Sequence, residues 1–498
     1  MQIRQALCGI GSALLLLLLI AAILISEGCL WVRAWFHDRP VVEAVSPGYA
    51  DDASRMNRTE VAETVPVAAD PRAAEAQLRD LLHRARTQGK RVAIAGARHS
   101  MGGHTIYPDG IILDMLPFRQ MELDTERSLL KVGAGARWSE VVPYLDARGY
   151  SVAIMQSNND FSVGGSVSVN CHGWQHDQPP IASTVERLRL MKADGTIVRC
   201  SRDENTELFG LALGGYGLIG IILDLELHVV RNERYRPEVE VLPAERYVTL
   251  FTEKVLGATD VGMAYGRLCV VPGEQTFLRE AILTVFHKSP CRREEIPALQ
   301  SPGYGALRRA VHRAQIGSQA GKEARWKAEK GLGNQLASRW FSRNQLLNEG
   351  ADVYREHNAD RTDVLHEYFV PPEQVTPFLD LLRVIIPRHH GDLLNVTVRT
   401  VREDKDVFLR YADRDMFAFV LMFSQERTAD ADRQMEGLTQ ELIDAALACG
   451  GRYYLPYRLH ARPEQLRLAY PQVSAFFDFK SRHDPDGIFQ NQWYLKYR

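Results

Sequence analysis

Between the apolar runs "RVAIAG" and "GIILDM" the chain carries "AGARHSMGGH", residues 95–104. Two strand-length apolar runs around a glycine-bracketed turn commit this region to a strand–turn–strand unit. The turn needs its glycines for backbone angles that other residues resist. It does not need an arginine, a histidine and a serine for that purpose. Successive backbone N–H groups in a tight turn form an anion-binding concavity without any helix. Gly96, Gly102 and Gly103 permit such a path, Arg98 adds charge and Ser100 adds a hydroxyl donor. A second loop, "SNNDFSVGGSVSVNCHGW" at 157–174, combines Ser157, Ser162, Gly164, Gly165 and a His172-Gly173 step with few charges. Two such turns, roughly 60 residues apart, can grip one long anionic ligand from both sides, although each alone also reads as an ordinary loop.

A third glycine cluster behaves differently. "GGYGLIG" at 214–220 contains GxGxxG as Gly215, Gly217 and Gly220. A dinucleotide-binding fingerprint requires a strand before it and a helix after it. Here a helical "ENTELFGLALGG" precedes and the strand "IGIILDLELHVV" follows, so these glycines are read as permitting close backbone approach.

The 498 residues suffice for two domains with real cores. A net charge of −2 gives no basic excess, which excludes nucleic acid as the main partner. The seven cysteines include no CxxC pair, and they read as free thiols rather than as disulfides or a metal site. Residues 6–25, "ALCGIGSALLLLLLIAAILI", carry no charge and are long enough to cross a bilayer. No small-x-small cleavage site follows, so an uncleaved single-pass anchor is expected over a signal peptide. Lysine and arginine counts near its ends favour the large domain on the cytoplasmic side.

The pattern predicts an anchor over 1–33, a linker over 34–70, a first α+β domain over 71–235 and a second over 236–450, with a segment 451–498 closing the chain. "DPRAAEAQLRDLLHRARTQG" has a helical period, an Asp-Pro start and a Gly end. "RLRLMKADGTIVRC" reads as a hairpin about Asp194-Gly195. "HEYFVP", "NVTVRTV" and "MFAFVLMFS" read as strands, and residues 430–450 as a helix. A basic, poorly apolar insert at about 305–350 reads as a solvated helical excursion, with a surface docking membrane phosphates as the alternative.

Taken together, the two polar turns and the C-terminal "RHDPDGIFQNQW" resemble the flavin-linked oxidases of the vanillyl-alcohol oxidase class. Their FAD domain is of the p-cresol methylhydroxylase type, and the alditol and aldonolactone oxidases look most similar. Their G-x-G-H-S turn matches Gly96, Ala97, Arg98, His99 and Ser100, with Arg98 in place of the second glycine. Their S-x-P-x-x-S-V-x-G loop matches Ser157 through Gly165, with Asn159 in place of proline. The T-H-G step matches Cys171-His172-Gly173, and E-I-R-T-V matches residues 397–401, with Thr397 in place of glutamate.

The resemblance implies an α+β fold with a two-subdomain FAD-binding domain and an α+β substrate domain. It assigns cofactor contacts to Gly96, Ala97, Arg98, His99, Ser100, Met101, Ser157, Ser162, Val163, Gly164, Gly165, His172, Gly173, Gly220, Ile222 and Asn491. His99 occupies the position that in many relatives bonds the flavin covalently, and Asp160, standing where a second attachment needs cysteine, predicts no cysteinyl link. Arg399 matches a substrate-site arginine. The usual catalytic lysine is missing from "GGRYYLPYRLHA", leaving Tyr457, Arg458 and His460 as local substitutes. Histidine suits a base, with an ordinary pKa of about 6.5.

The implied activity is oxidation of a CH–OH group of a polyol or aldonolactone, with hydride passing to flavin and oxygen or a quinone or redox partner as final acceptor. A flavin reductase or epimerase-type oxidase acting on a lipid-linked sugar or sterol is the second reading. A flavoprotein scaffold without turnover is the third.

Overall fold

The computed structural model describes Val32, Ala34 and His37 and residues 45–301, 305–336 and 338–498. The apolar run 6–25 lies outside these residues. Among the described residues no helix is long and apolar enough to cross a membrane.

The chain first builds a small parallel sheet. Strands β1 (Glu63–Pro66), β2 (Val92–Ala95) and β3 (Ile111–Asp114) lie in the order β1-β3-β2. The expected linker 34–70 therefore contributes an edge strand. Helix α1 (Pro71–Thr87) begins where Asp70 accepts a bond from the Ala73 N–H at 2.9 Å, with Pro71 at its first position. Its buried residues Ala74, Leu78, Leu81, Leu82 and Ala85 form one helical stripe. Phe489 bridges Val92 in parallel, so the C-terminal segment returns to this sheet.

A second sheet follows from β4 (Met121–Asp124), β5 (Leu129–Gly133), β6 (Tyr150–Val152), β7 (Val185–Met191), β8 (Ile197–Ser201) and β9 (Ile221–Arg231). It runs β8-β7-β9-β5-β4, with β6 pairing the far end of β9. In the β7–β8 hairpin Gly195 takes a φ of +81°; Asp194 does not adopt positive φ. Helix α2 (Val163–Ser168) starts within the second polar loop. The 214–217 turn packs on this short helix, with Gly214 donating to the Val167 carbonyl at 3.0 Å and Tyr216 to that of Ser168 at 3.0 Å. The glycine cluster thus serves close packing, as its strand order implied.

After Arg231 the chain enters an eight-stranded antiparallel sheet. Its strands are β10 (Arg234–Pro243), β11 (Val261–Leu268), β12 (Glu280–Ser289), β13 (Phe341–Ser342), β14 (Arg361–Val370), β15 (Asp392–Val401), β16 (Met416–Glu426) and β17 (Arg452–Tyr453). They lie in the order β13-β10-β12-β11-β15-β16-β14-β17. Helix Ala429–Ala448 packs on β14 and β16, its Thr439 meeting His366. Strand alternation then turns Glu367, the neighbour of His366, to the opposite face.

The helical insert is not the solvated excursion expected from its charge. Arg313 in helix Gly305–Ala314 is fully buried, donating to Glu356 at 2.8 Å and Asp363 at 2.7 Å. The charges that made the segment look solvated are partly spent inside, fastening it to the start of β14.

Candidate active site

A cavity of about 630 Å³ lies between the two polar loops and one face of the eight-stranded sheet. The sheet contributes by rows. Arg267 opposes Thr397, Thr397 opposes Val420, and Val420 opposes Glu367, and all four line the cavity. Arg399, two residues along β15 from Thr397, shares that face. Trp174 and Tyr265 stack with ring centroids 4.6 Å apart and add an aromatic wall. The insert closes another side through Arg308, Phe341, Leu346 and Glu349.

Glu367 is the centre of the polar cluster. Its side chain is 3% exposed and that of His172 is 5% exposed, and Glu367 Oε1 meets His172 Nε2 at 2.5 Å. Tyr457 donates its hydroxyl to Oε2 at 3.0 Å. Burial alone would raise the carboxyl, but His172, Arg399 and Tyr457 together hold it below its ordinary value. The same burial, with the Glu367 charge beside it, drives the Tyr457 phenol well above its ordinary value. Glu367 is therefore a carboxylate and Tyr457 a neutral donor at neutral pH. Arg399 donates from Nη2 to Ser157 Oγ at 2.7 Å, joining the sheet to the second loop.

The two loops have the features an extended phosphate-bearing cofactor requires. Arg98 Nη2, Ser100 Oγ and Thr105 Oγ1 are buried on the cavity walls without a hydrogen-bond partner among the described residues. Buried donors of this kind call for an acceptor that a ligand supplies. Arg98 adopts a φ of +57°, the left-handed conformation that glycine takes most readily. At Gly164 a Cβ would stand 2.7 Å from that of Ala134, so only glycine lets α2 approach β5 this closely. These residues fit FAD: Gly96 to Ser100 and Thr105 would hold the pyrophosphate, with Ser162, Gly164 and Gly165 on the facing loop. His99 stacks on Phe161 with centroids 4.0 Å apart, and burial lowers its pKa, keeping the imidazole neutral and nucleophilic.

Of the residues expected from sequence, Gly96, Ala97, Arg98, His99, Ser100, Ser157, Ser162, Gly164, Gly165, His172, Gly220 and Ile222 line the cavity, as do Arg399 and Tyr457. Four others stand behind it. Met101 donates from its backbone N–H to the Pro456 carbonyl at 2.8 Å, and Val163 lies in the core. Gly173 lets the chain pass against the Met155 carbonyl. Asn491 caps the C-terminal helix through Tyr494 and donates to the Tyr216 carbonyl at 3.0 Å.

Arg458 and His460 are not brought to the cavity. Both face Asp432, at 2.7 and 3.1 Å, and His460 Nδ1 meets Thr439 at 3.1 Å. The chain turns after Tyr457, so these side chains point to helix Ala429–Ala448. Sequence reading missed Glu367, although a lone carboxylate inside the strand "HEYFV" was a signal. It also missed Arg267, alone among apolar and small residues in "GMAYGRLCVV".

Fold and site together define a flavoprotein. Residues 72–201 match the FAD binding domain family, and residues 329–497 match the D-arabinono-1,4-lactone oxidase family. The chain is similar to the L-gulonolactone oxidase of Mus musculus, 32% identical over 155 residues, which is 31% of this chain and 35% of that protein. It is also similar to the alditol oxidase of a Streptomyces species, 34% identical over 24% of this chain and 29% of the relative. The D-arabinono-1,4-lactone oxidase of Debaryomyces hansenii is 27% identical over 33% of this chain and 32% of its own length. The chain thus spans about a third of the length of the curated relatives it matches. The likeness thus joins an FAD binding domain segment and a D-arabinono-1,4-lactone oxidase segment in one chain.

Proposed function

We propose that this protein is an FAD-dependent oxidoreductase that oxidises a CH–OH group of a sugar-like substrate, a polyol or aldonolactone. The observation that carries the reading is the Glu367 carboxylate, set between His172 and Tyr457 on a cavity shared with the FAD-binding loops. The names of the relatives support the substrate class.

When bound, FAD supplies the two-electron acceptor for hydride. The protein's own residues manage the hydroxyl. A carboxylate offers about four lone-pair directions, so Glu367 has capacity left after its two bonds. It accepts the substrate O–H and takes the proton as the carbon is oxidised. His172 and Tyr457 fix its orientation and keep it ionised. Arg399 offers guanidinium donors to a second substrate oxygen, and Ser157 holds it in place. The Trp174–Tyr265 wall covers the C–H face of a sugar and excludes water.

Attachment of FAD through His99 is part of this reading, with no cysteinyl link because Asp160 instead bonds the Ala351 N–H. The terminal acceptor is oxygen or a quinone or redox partner. The run 6–25 tethers the protein to a membrane with the folded domains on the cytoplasmic side, an assignment supported by sequence alone.

The test is anaerobic mixing of the FAD-loaded protein with a panel of polyols and aldonolactones. Bleaching of the flavin band by at least one is expected, and readmitted air then tests for peroxide. A fully loaded protein whose flavin no such donor reduces would overturn the proposal.

A further inference from the structure

Arg267 faces the cavity from β11, and the chemistry assigned above does not use it. Its Nη1 donates to Thr397 Oγ1 at 2.9 Å and also to Asn395 Oδ1. Both acceptors are neutral. Among the described residues no carboxylate lies within 4.0 Å of its guanidinium. The carboxylates nearby are committed elsewhere. Glu367 bonds His172 and Tyr457, and Glu349 pairs with Arg308 at 2.5 Å. Glu329, whose charge acts on Arg267, pairs with Arg325 Nε at 2.8 Å. Arg325 Nη2 also reaches Asn395 Oδ1, at 3.1 Å. Arg267 and Arg325 thus bracket one amide and act on one carboxylate, Glu329, which pairs directly with Arg325 and not with Arg267.

A guanidinium that faces a cavity without a carboxylate of its own keeps donors for a ligand, and its planar fork matches a carboxylate or phosphate. Arg98 and Arg399 also line the cavity with no carboxylate within 4.0 Å among the described residues, but Arg98 belongs to the first polar turn and Arg399 stands beside Glu367. Arg267 starts three strands away from Glu367, through Thr397 and Val420. Strands in a sheet are about 4.8 Å apart, so the two backbones are separated by about 14 Å. A group held by Arg267 therefore lies across the cavity from the carboxylate, not on the carbon next to the one oxidised.

We infer that the substrate carries an anionic group, a carboxylate or a phosphate, several atoms from the oxidised carbon, and that Arg267 binds it. The substrate class is then a sugar acid or sugar phosphate in preference to a neutral polyol. This rests on the proposed CH–OH oxidation and deepens it.

The experiment uses the FAD-loaded full chain and three probes of one carbon length: D-glucitol, D-gluconate and D-glucitol 6-phosphate. Binding is read by perturbation of the flavin absorbance, which needs no turnover, and reduction is read anaerobically. At least one anionic probe is expected to bind about 10-fold or more tighter than glucitol. Arg267→Gln should erase that preference while leaving FAD content and the glucitol response unchanged, and Arg267→Lys should restore part of it. Preference for gluconate alone identifies a carboxylate, and preference for the phosphate alone identifies a phosphate. Equal binding of all three probes by the unaltered protein overturns the inference. So does an Arg267→Gln variant that keeps the preference, or one that loses FAD, which would make Arg267 a cofactor ligand. If the anions bind through Arg267 but no donor reduces the flavin, the oxidation reading fails, and of this inference only the anion site at Arg267 stands.

Discussion

Glu367 and His172 share a hydrogen bond of 2.5 Å although 195 residues separate them in sequence. The histidine comes from the second polar loop and the glutamate from the middle of β14. The bond joins the segment that matches the FAD binding domain family to the eight-stranded sheet. It also fixes a charged carboxylate on the wall of the cavity that both segments line.

Glu367→Gln keeps the shape and removes the base. Flavin reduction by substrate should fall by about 10²–10⁴-fold, with FAD retained. Stopped-flow reduction checks this, and a loss under threefold would remove Glu367 from the role. The pH profile has a definite sign. Glu367 titrates below its ordinary value of about 4.3 in the fold, so it is ionised throughout the neutral range. Its contribution to reduction and to stability is complete above the ordinary value and lost as pH falls through the lower, folded one. A reduction rate that instead drops between pH 8 and pH 6 would need a different base.

His99→Ala should abolish covalent flavin while leaving a folded protein able to bind FAD noncovalently. The stacked position on Phe161 and the lowered pKa both suit a neutral nucleophile. Acid denaturation followed by gel electrophoresis reads the outcome: flavin fluorescence that still migrates with the variant would sink the linkage.

Arg98 takes a left-handed backbone conformation that costs a non-glycine residue about 1–2 kcal/mol. Arg98→Gly relieves that strain but adds freedom to the unfolded chain, so the apoprotein should melt within about 1 kcal/mol of the original. The missing guanidinium should weaken FAD binding by roughly 10- to 100-fold. Unchanged FAD affinity by titration would show that Arg98 does not meet the phosphates.

His460→Ala separates fold from chemistry. His460 bonds Asp432 and Thr439 inside the substrate domain, so its loss should cost about 1–3 kcal/mol in denaturant unfolding. Flavin reduction in the folded variant should stay within about twofold, since no cavity group contacts it. A folded, FAD-loaded variant with collapsed reduction would return His460 to the site.

The two polar loops of the cavity were legible in the sequence because their residues are local. The turn 95–104 and the loop 157–174 each hold their glycines, hydroxyls and histidine within one stretch. Adjacency in the chain made them readable, and the structure brings both to one cavity. The strands β14, β15 and β16 were equally plain, since apolar runs of that length declare themselves. Tyr457, Arg458 and His460 illustrate the limit. They sit within four residues of one another, yet only Tyr457 faces the cavity, because direction depends on what the turn packs against.

What the sequence by itself determined is the order of its main elements, the two polar glycine-bearing turns and the resemblance to an FAD-binding fold. These follow from spacing and residue type over short distances. The tertiary structure alone decided that Glu367, Arg267 and Arg399 meet on one sheet face, because strand register brings together residues far apart in the chain, as Arg267 opposite Thr397. It likewise turned the charged insert inward, where Arg313 found two buried carboxylates. Charge in a sequence states what a side chain must be paired with. Only the fold supplies the partner.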